Sequence, residues 1–215
     1  MFKKITCILL AVVMLSMPLA LPVSAGDTVF SDVPEDHWAK DYIYECSSRN
    51  IINGYPDGTF KPEKQLKVCE FMKMVVCAYF PKCQETVQEK NLSAGGHWAR
   101  PYVKSGDEKF FDARDYETDE SLERVITRLE ASEMIVSMYI LLNGNDDSKN
   151  HLDKTGEYLE KIKDADLLED EWDRNDVNTA IKAGLICGFD DGTFRPFDGL
   201  TRAQAAKIIY LALTN

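Results

Sequence analysis

Gly54-Tyr55-Pro56-Asp57-Gly58-Thr59-Phe60 returns as Gly188-Phe189-Asp190-Asp191-Gly192-Thr193-Phe194, 134 positions later. The same offset lays Trp38 on Trp172, Pro62 on Pro196, Leu66 on Leu200 and Glu70 on Gln204. An offset of 60 carries His37-Trp38-Ala39 onto His97-Trp98-Ala99 and Glu70 onto Glu130. The chain thus contains three copies of one unit, and repetition has to be settled before any single residue is weighed. A feature present in every copy is expected to be scaffold.

Each copy opens on a short amphipathic helix. In the first, Trp38, Ala39, Tyr42, Ile43 and Cys46 fall at i, i+1, i+4, i+5 and i+8, one apolar face, with Pro34 or Asp36 available to start it. A buried pair follows (Ile51-Ile52, Leu185-Ile186), then the glycine loop. There Asp-Gly suits a tight turn with the glycine at positive φ, and Phe60 and Phe194 plug the loop onto the core. A longer second helix carries Phe71, Met72, Val75, Val76 and Tyr79 in the first copy, and Ala205, Ile208, Ile209 and Leu213 in the third. The middle copy is degenerate: it keeps His97-Trp98-Ala99 and a helix over 127–142, but Arg114 to Glu120 replaces the glycine loop. Asn143 to Lys154 is polar and reads as a surface linker.

The N-terminus reads as a secretory signal. Lys3 and Lys4 precede an apolar run from Ile5 to Met17, and Val23-Ser24-Ala25 offers small residues for cleavage after Ala25. The run is shorter than the roughly 20 residues that span a bilayer, and no later segment is long and apolar enough. Removing Lys3 and Lys4, with no acid, takes the formal charge from −11 to −13. A chain this acidic repels nucleic acid and anionic membranes, so an anionic partner must be held by a few local cations. The expected organisation is a signal peptide over 1–25 and three units over 26–86, 87–150 (degenerate) and 151–215.

Cys46, Cys69, Cys77, Cys83 and Cys187 follow the signal, an odd number that leaves at least one thiol without an intrachain partner. Cys46 and Cys69 align with Ala180 and Ala203, and Cys77 with Leu211, so these three read as small buried hydrophobes. Their spacings match no zinc pattern, and neither a metal nor a cofactor is expected. An EF-hand loop fails because Tyr55 stands at its third position and Lys64 at its twelfth. No carboxylate pair stands out among 36 acidic residues for glycoside hydrolysis, and the chain is read as a non-enzyme.

The start of each second helix carries the most chemical information. Thr127-Arg128-Leu129-Glu130 and Thr201-Arg202-Ala203-Gln204 both fit a capping box, which explains Thr127, Glu130, Thr201 and Gln204 structurally. The arginines are not so explained. A cation in the first turn is mildly unfavourable against the helix dipole, by about 0.3–1 kcal/mol. Beside free backbone N–H groups, it makes a place for a carboxylate or phosphate. The first copy has Lys67-Val68-Cys69-Glu70, with Glu70 in the box position but no arginine and no hydroxyl cap, so its anion site is expected to be weak or dead.

Together these residues resemble the S-layer homology (SLH) family: Phe30-Ser31-Asp32-Val33-Pro34, His37-Trp38-Ala39, the Asn53-Gly54 loop through Phe60, Thr201-Arg202-Ala203 and a length near 60. The resemblance implies an all-α fold of three helix-loop-helix repeats in a pseudo-threefold arrangement around a central helical bundle. It implies noncovalent binding to anionic, commonly pyruvylated, secondary cell-wall polysaccharide, and so a secreted protein anchored at the cell wall or S-layer. It further implies sugar grooves between repeats, held by Arg128, Arg202, Gly54 and Gly188, with Trp38 and Trp98 as groove walls. Read by position alone, a tryptophan recurring on three amphipathic helices belongs in the core. The competing function is a surface assembly protein acting through contacts with other surface proteins.

Overall fold

The structure, a computed structural model, describes residues 29–80, 96–107, 109–144 and 152–215. The expected signal, Cys83, His151 and most of the polar linker lie outside the described residues. Among the described residues there are seven α-helices and no strand: α1 (Lys40–Ser48), α2 (Val68–Tyr79), α3 (Arg100–Gly106), α4 (Asp119–Glu123), α5 (Arg128–Leu142), α6 (Glu171–Lys182) and α7 (Arg202–Thr214).

Burial sorts these helices into two kinds. α2 buries Val68, Cys69, Phe71, Met72, Met74, Val75, Val76 and Cys77, nearly its whole circumference, which is how a central helix reads. α7 does the same with Ala203, Ala205, Ala206, Ile208, Ile209 and Ala212, and its four alanines let neighbours approach closely. α1, by contrast, buries only Ile43 and Cys46. α2, α5 and α7 touch one another in all three pairings and form the middle of the molecule.

Each outer helix packs on the central helix of the preceding segment: α3 on α2, α6 on α5, and α1 on α7. The last of these brings the two ends of the described chain together. Tyr42 and Tyr210 lie with ring centroids 5.2 Å apart, and the Cys46 thiol donates to the Ala206 carbonyl at 3.4 Å. Just before the central helices, three backbone hydrogen bonds close a cycle. Leu66 N–H donates to Leu200 O (2.9 Å), Leu200 N–H to Ile126 O (3.2 Å), and Ile126 N–H to Leu66 O (3.0 Å). All three side chains are fully buried, each worth about 1.5–3 kcal/mol in removed apolar surface.

One expectation about the first helix fails. α1 begins at Lys40, not at Trp38, and neither Pro34 nor Asp36 caps it. The His37 ring instead braces the turn before the helix: its Nδ1 accepts the Ala39 N–H at 3.1 Å, as His97 Nδ1 accepts Ala99 N–H at 3.2 Å. Trp38 therefore precedes the helix and does not join the Ala39–Ile43–Cys46 face. Trp38, Trp98 and Trp172 are all exposed, at 53%, 45% and 51%, which overturns the core reading for all three.

Candidate functional site

Both glycine loops fold alike. Tyr55 N–H donates to Thr59 O (2.7 Å), as Phe189 N–H does to Thr193 O (2.8 Å). Gly58 and Gly192 sit at φ of +79° and +83°, where a side chain would be strained. Asp57 and Asp191 accept both the backbone N–H and the hydroxyl of Thr59 and Thr193, which holds each carboxyl below its ordinary range. Gly54 is required by crowding: a Cβ there would stand 2.2 Å from the Phe30 ring. At Gly188 the nearest contacts are milder, Thr193 O at 3.0 Å and Ile162 Cδ1 at 3.1 Å.

Two residues at the loop exits were not singled out from sequence. Lys61 and Arg195 adopt left-handed backbone (φ 58° and 56°), which costs about 1 kcal/mol or more for a residue with a Cβ. Asp32 holds the first, accepting Phe60 and Lys61 N–H at 2.7 Å each. Asp164 holds the second, accepting Phe194 and Arg195 N–H at 2.7 and 2.8 Å. Asp32 was visible within Phe30-Ser31-Asp32-Val33-Pro34, but Asp164 stands 132 positions later, two short of the repeat offset, and a fixed register passes over it.

At the starts of α5 and α7, Thr127 and Thr201 hydroxyls accept Glu130 and Gln204 N–H, and those side chains accept back from the threonine N–H. At α2 only half of this exists: Glu70 accepts Lys67 N–H at 3.0 Å, and a lysine side chain cannot return the bond. The next amides are not free, contrary to expectation. Arg128 and Leu129 N–H donate to Asp198 O and Pro196 O, and Arg202 and Ala203 N–H to Lys64 O and Pro62 O, at 2.9–3.0 Å. Each helix start is thus spent on the loop of another segment, and an anion there must be met by side chains.

Those side chains are the two arginines. Arg202 is 5% exposed, donates from Nε to Phe60 O (2.7 Å) and from Nη2 to Asn53 O (2.7 Å), and lies over the Tyr55 and Phe60 rings. Arg128 repeats this on the second loop: 5% exposed, Nε to Phe194 O (2.8 Å), Nη2 to Cys187 O (2.9 Å), over Phe189 and Phe194. Each guanidinium therefore clamps the glycine loop across a seam and brings its charge beside Gly54 or Gly188. Among the described residues no carboxylate pairs with either arginine. Two of five guanidinium donors are used, and burial in place of water lowers both pKa values, so the charge lacks a counter-ion at close range.

The third seam, at the start of α2, keeps the backbone handover: Val68 N–H donates to Arg124 O at 3.0 Å. Its chemistry differs. Val68 is buried where the other seams carry arginine. Glu123 takes an ion pair from Lys67 and a 2.6 Å contact from His97 Nε2, and the Cys69 thiol lies 3.9 Å from the same carboxylate. Cys69, His97 and Glu123 offer ligand atoms close enough for one metal ion. Yet His97 Nδ1 accepts from Ala99, so the neutral ring carries its proton on Nε2, toward Glu123. A metal at Nε2 would have to break both bonds and compete with Lys67. The cluster is read as a satisfied network.

The family model described as "S-layer homology domain" matches residues 29–67 and 161–206, the stretches that carry the two glycine loops and their aspartates. These are S-layer homology domains. The chain is 30% identical over 192 residues to an amylopullulanase of Thermoanaerobacterium thermosulfurigenes, covering 86% of this chain and 9% of that protein. It is 27% identical over 195 residues to the S-layer protein EA1 of Bacillus anthracis, covering 90% of this chain and 21% of that protein. The exoglucanase XynX of Acetivibrio thermocellus is 28% identical over 189 residues, 84% of this chain and 16% of that protein. The chain thus spans less than a quarter of the length of these relatives. S-layer homology domains are anchoring modules, which makes this a cell-surface module of the wall. No helix among the described residues is long and apolar enough to cross a membrane.

A cavity of about 550 Å³, lined by neither arginine, lies between the start of the 107–116 segment, α5 and α6. Glu133, Asp176, Phe110, Phe111 and Trp172 line it. Burial, then the nearby Asp176, Asp115, Asp173 and Glu130, push the Glu133 carboxyl up to about 8.

Proposed function

We propose that this module docks noncovalently on anionic secondary cell-wall polysaccharide, through Arg128 with Gly188 and Arg202 with Gly54, and so anchors the protein to the envelope. The observation that carries this reading is the pair of desolvated guanidiniums left without carboxylate partners at two seams. A buried charge unpaired within the chain is costly, and an acidic sugar substituent would relieve that cost. Trp38 and Trp98, exposed beside the helix starts, are proposed as sugar-stacking walls. The cyclic hydrogen bonds at Leu66, Ile126 and Leu200, with one outer helix on each central helix, support three repeats in a pseudo-threefold arrangement. The middle repeat then lies within 87–150.

Co-sedimentation with purified walls, before and after the polysaccharide is extracted, tests the reading. Retention on native walls and loss on extracted walls is expected. Equal retention on both would instead favour assembly through other surface proteins, the role suggested by the relatives named S-layer proteins.

A further inference from the structure

The two arginine seams share a backbone but not a charge pattern. The residue whose carbonyl receives the helix-start amide is Lys64 at the Arg202 seam and Asp198 at the Arg128 seam. These are equivalent positions, 134 apart, with opposite charge. The aromatic residue over the guanidinium differs as well: Tyr55 beside Arg202, at 4.9 Å, and Phe189 beside Arg128, at 4.7 Å. Lys64 Nζ donates to the Tyr55 hydroxyl at 2.9 Å, which fixes its ammonium on the same ring that Arg202 covers. Lys61 also lies over Tyr55, but its charge is taken by Asp57 at 3.3 Å, just as Arg195 is taken by Asp191 at 2.6 Å. Lys64 has no carboxylate partner among the described residues.

We propose that the seams are unequal anion sites, the Arg202 seam being the tighter, with Lys64 and Tyr55 as its specificity-determining residues. Arg202 and Lys64 there present two cations that no carboxylate ion-pairs among the described residues, with Glu70 and Asp32 acting on Arg202 only at longer range. A phenol bridges them whose oxygen can accept from one and face a ligand. At the Arg128 seam Asp198 stands in Lys64's place and is the strongest electrostatic counterweight to the guanidinium. The favoured ligand is an oxyanion, a carboxylate or phosphate group on a glycan, and doubly charged groups gain most from the paired cations. This inference rests on the anion-binding reading of the seams given above, and it names which seam does most of the work.

Titration of the purified protein with inorganic phosphate, followed by amide resonances of Gly54 and Gly188, tests it without any polysaccharide. Gly54 should saturate at lower phosphate than Gly188. Lys64→Asp should weaken the Gly54 response by about tenfold, as expected for reversing one charge at close range, while Asp198→Lys should strengthen the Gly188 response. Tyr55→Phe should weaken Gly54 less than Lys64→Asp does. Equal responses at the two glycines, no response, or a Gly54 response indifferent to Lys64→Asp would overturn the inference. A second arm measures binding of extracted wall polysaccharide by the same variants. If the phosphate order holds while polysaccharide is not bound, the wall-binding reading fails and the inequality of the seams stands.

Discussion

The seam at Val68 and the seam at Arg202 have the same backbone and opposite chemistry. In both, a helix-start amide is handed to a carbonyl at 3.0 Å, and in both the residue two positions earlier, Leu66 or Leu200, takes part in the closed cycle of hydrogen bonds. At Val68 the nearby charges cancel: Lys67, His97 and Glu123 satisfy one another, and an apolar side chain fills the arginine position. At Arg202 the charge is buried, gripped only by neutral carbonyls. The handover is scaffold, because it survives where the chemistry has gone. The uncompensated charge is what distinguishes a site from a joint.

That contrast can be broken most forcefully by Val68→Arg. The seam at Val68 has no glycine loop to receive a guanidinium, so the variant should bury an unmatched charge and lose about 3 kcal/mol or more by urea unfolding. A stable variant that gains anion binding would mean the arginine alone makes the site. The next effect separates the two glycine loops. Gly54→Ala drives a Cβ into the Phe30 ring and should cost about 1–3 kcal/mol, whereas Gly188→Ala meets only the flexible tip of Ile162 and a carbonyl and should cost less. Equal melting temperatures for the two would show that the loops relax alike.

The smallest effect concerns Glu133, whose carboxyl is raised from 4.5 to about 8. A raised carboxyl pKa penalises the folded state once the group ionises. The penalty is absent below about pH 4.5, grows as pH rises, and is complete above about pH 8. Glu133→Gln should therefore leave the melting temperature unchanged at pH 4 and raise it by about 2–4 °C at about pH 5.5, where one pH unit above the ordinary carboxyl value carries roughly 1 kcal/mol of the penalty. An equal change at both pH values would place the effect in packing.

Much of the architecture was legible in the sequence because it repeats. The glycine loops, their buried phenylalanines, the threonine caps and the recurrent arginines all lie at a fixed offset, and local rules suffice to read them. What the arginines hold was not legible. Arg128 reaches Phe194 and Arg202 reaches Phe60, contacts 66 and 142 residues apart that only the closed ring of helices creates. The same long-range handover consumes the helix-start amides that local reasoning left free. The tryptophans were misplaced in the core because recurrence on three amphipathic helices was read as an apolar face: Trp38 and Trp98 stand before α1 and α3, and Trp172, inside α6, is exposed.

Removing Arg128 and Arg202 altogether would also orphan four loop carbonyls, so a loss of wall binding by alanine variants could reflect a loosened fold. The most direct measurement is therefore a binding isotherm on purified walls for Arg128→Gln/Arg202→Gln, which keeps donors and removes charge, with thermal melting in parallel. Retention should fall to that seen on polysaccharide-stripped walls while a cooperative melt persists. A folded double variant that binds native walls as the parent does would contradict it.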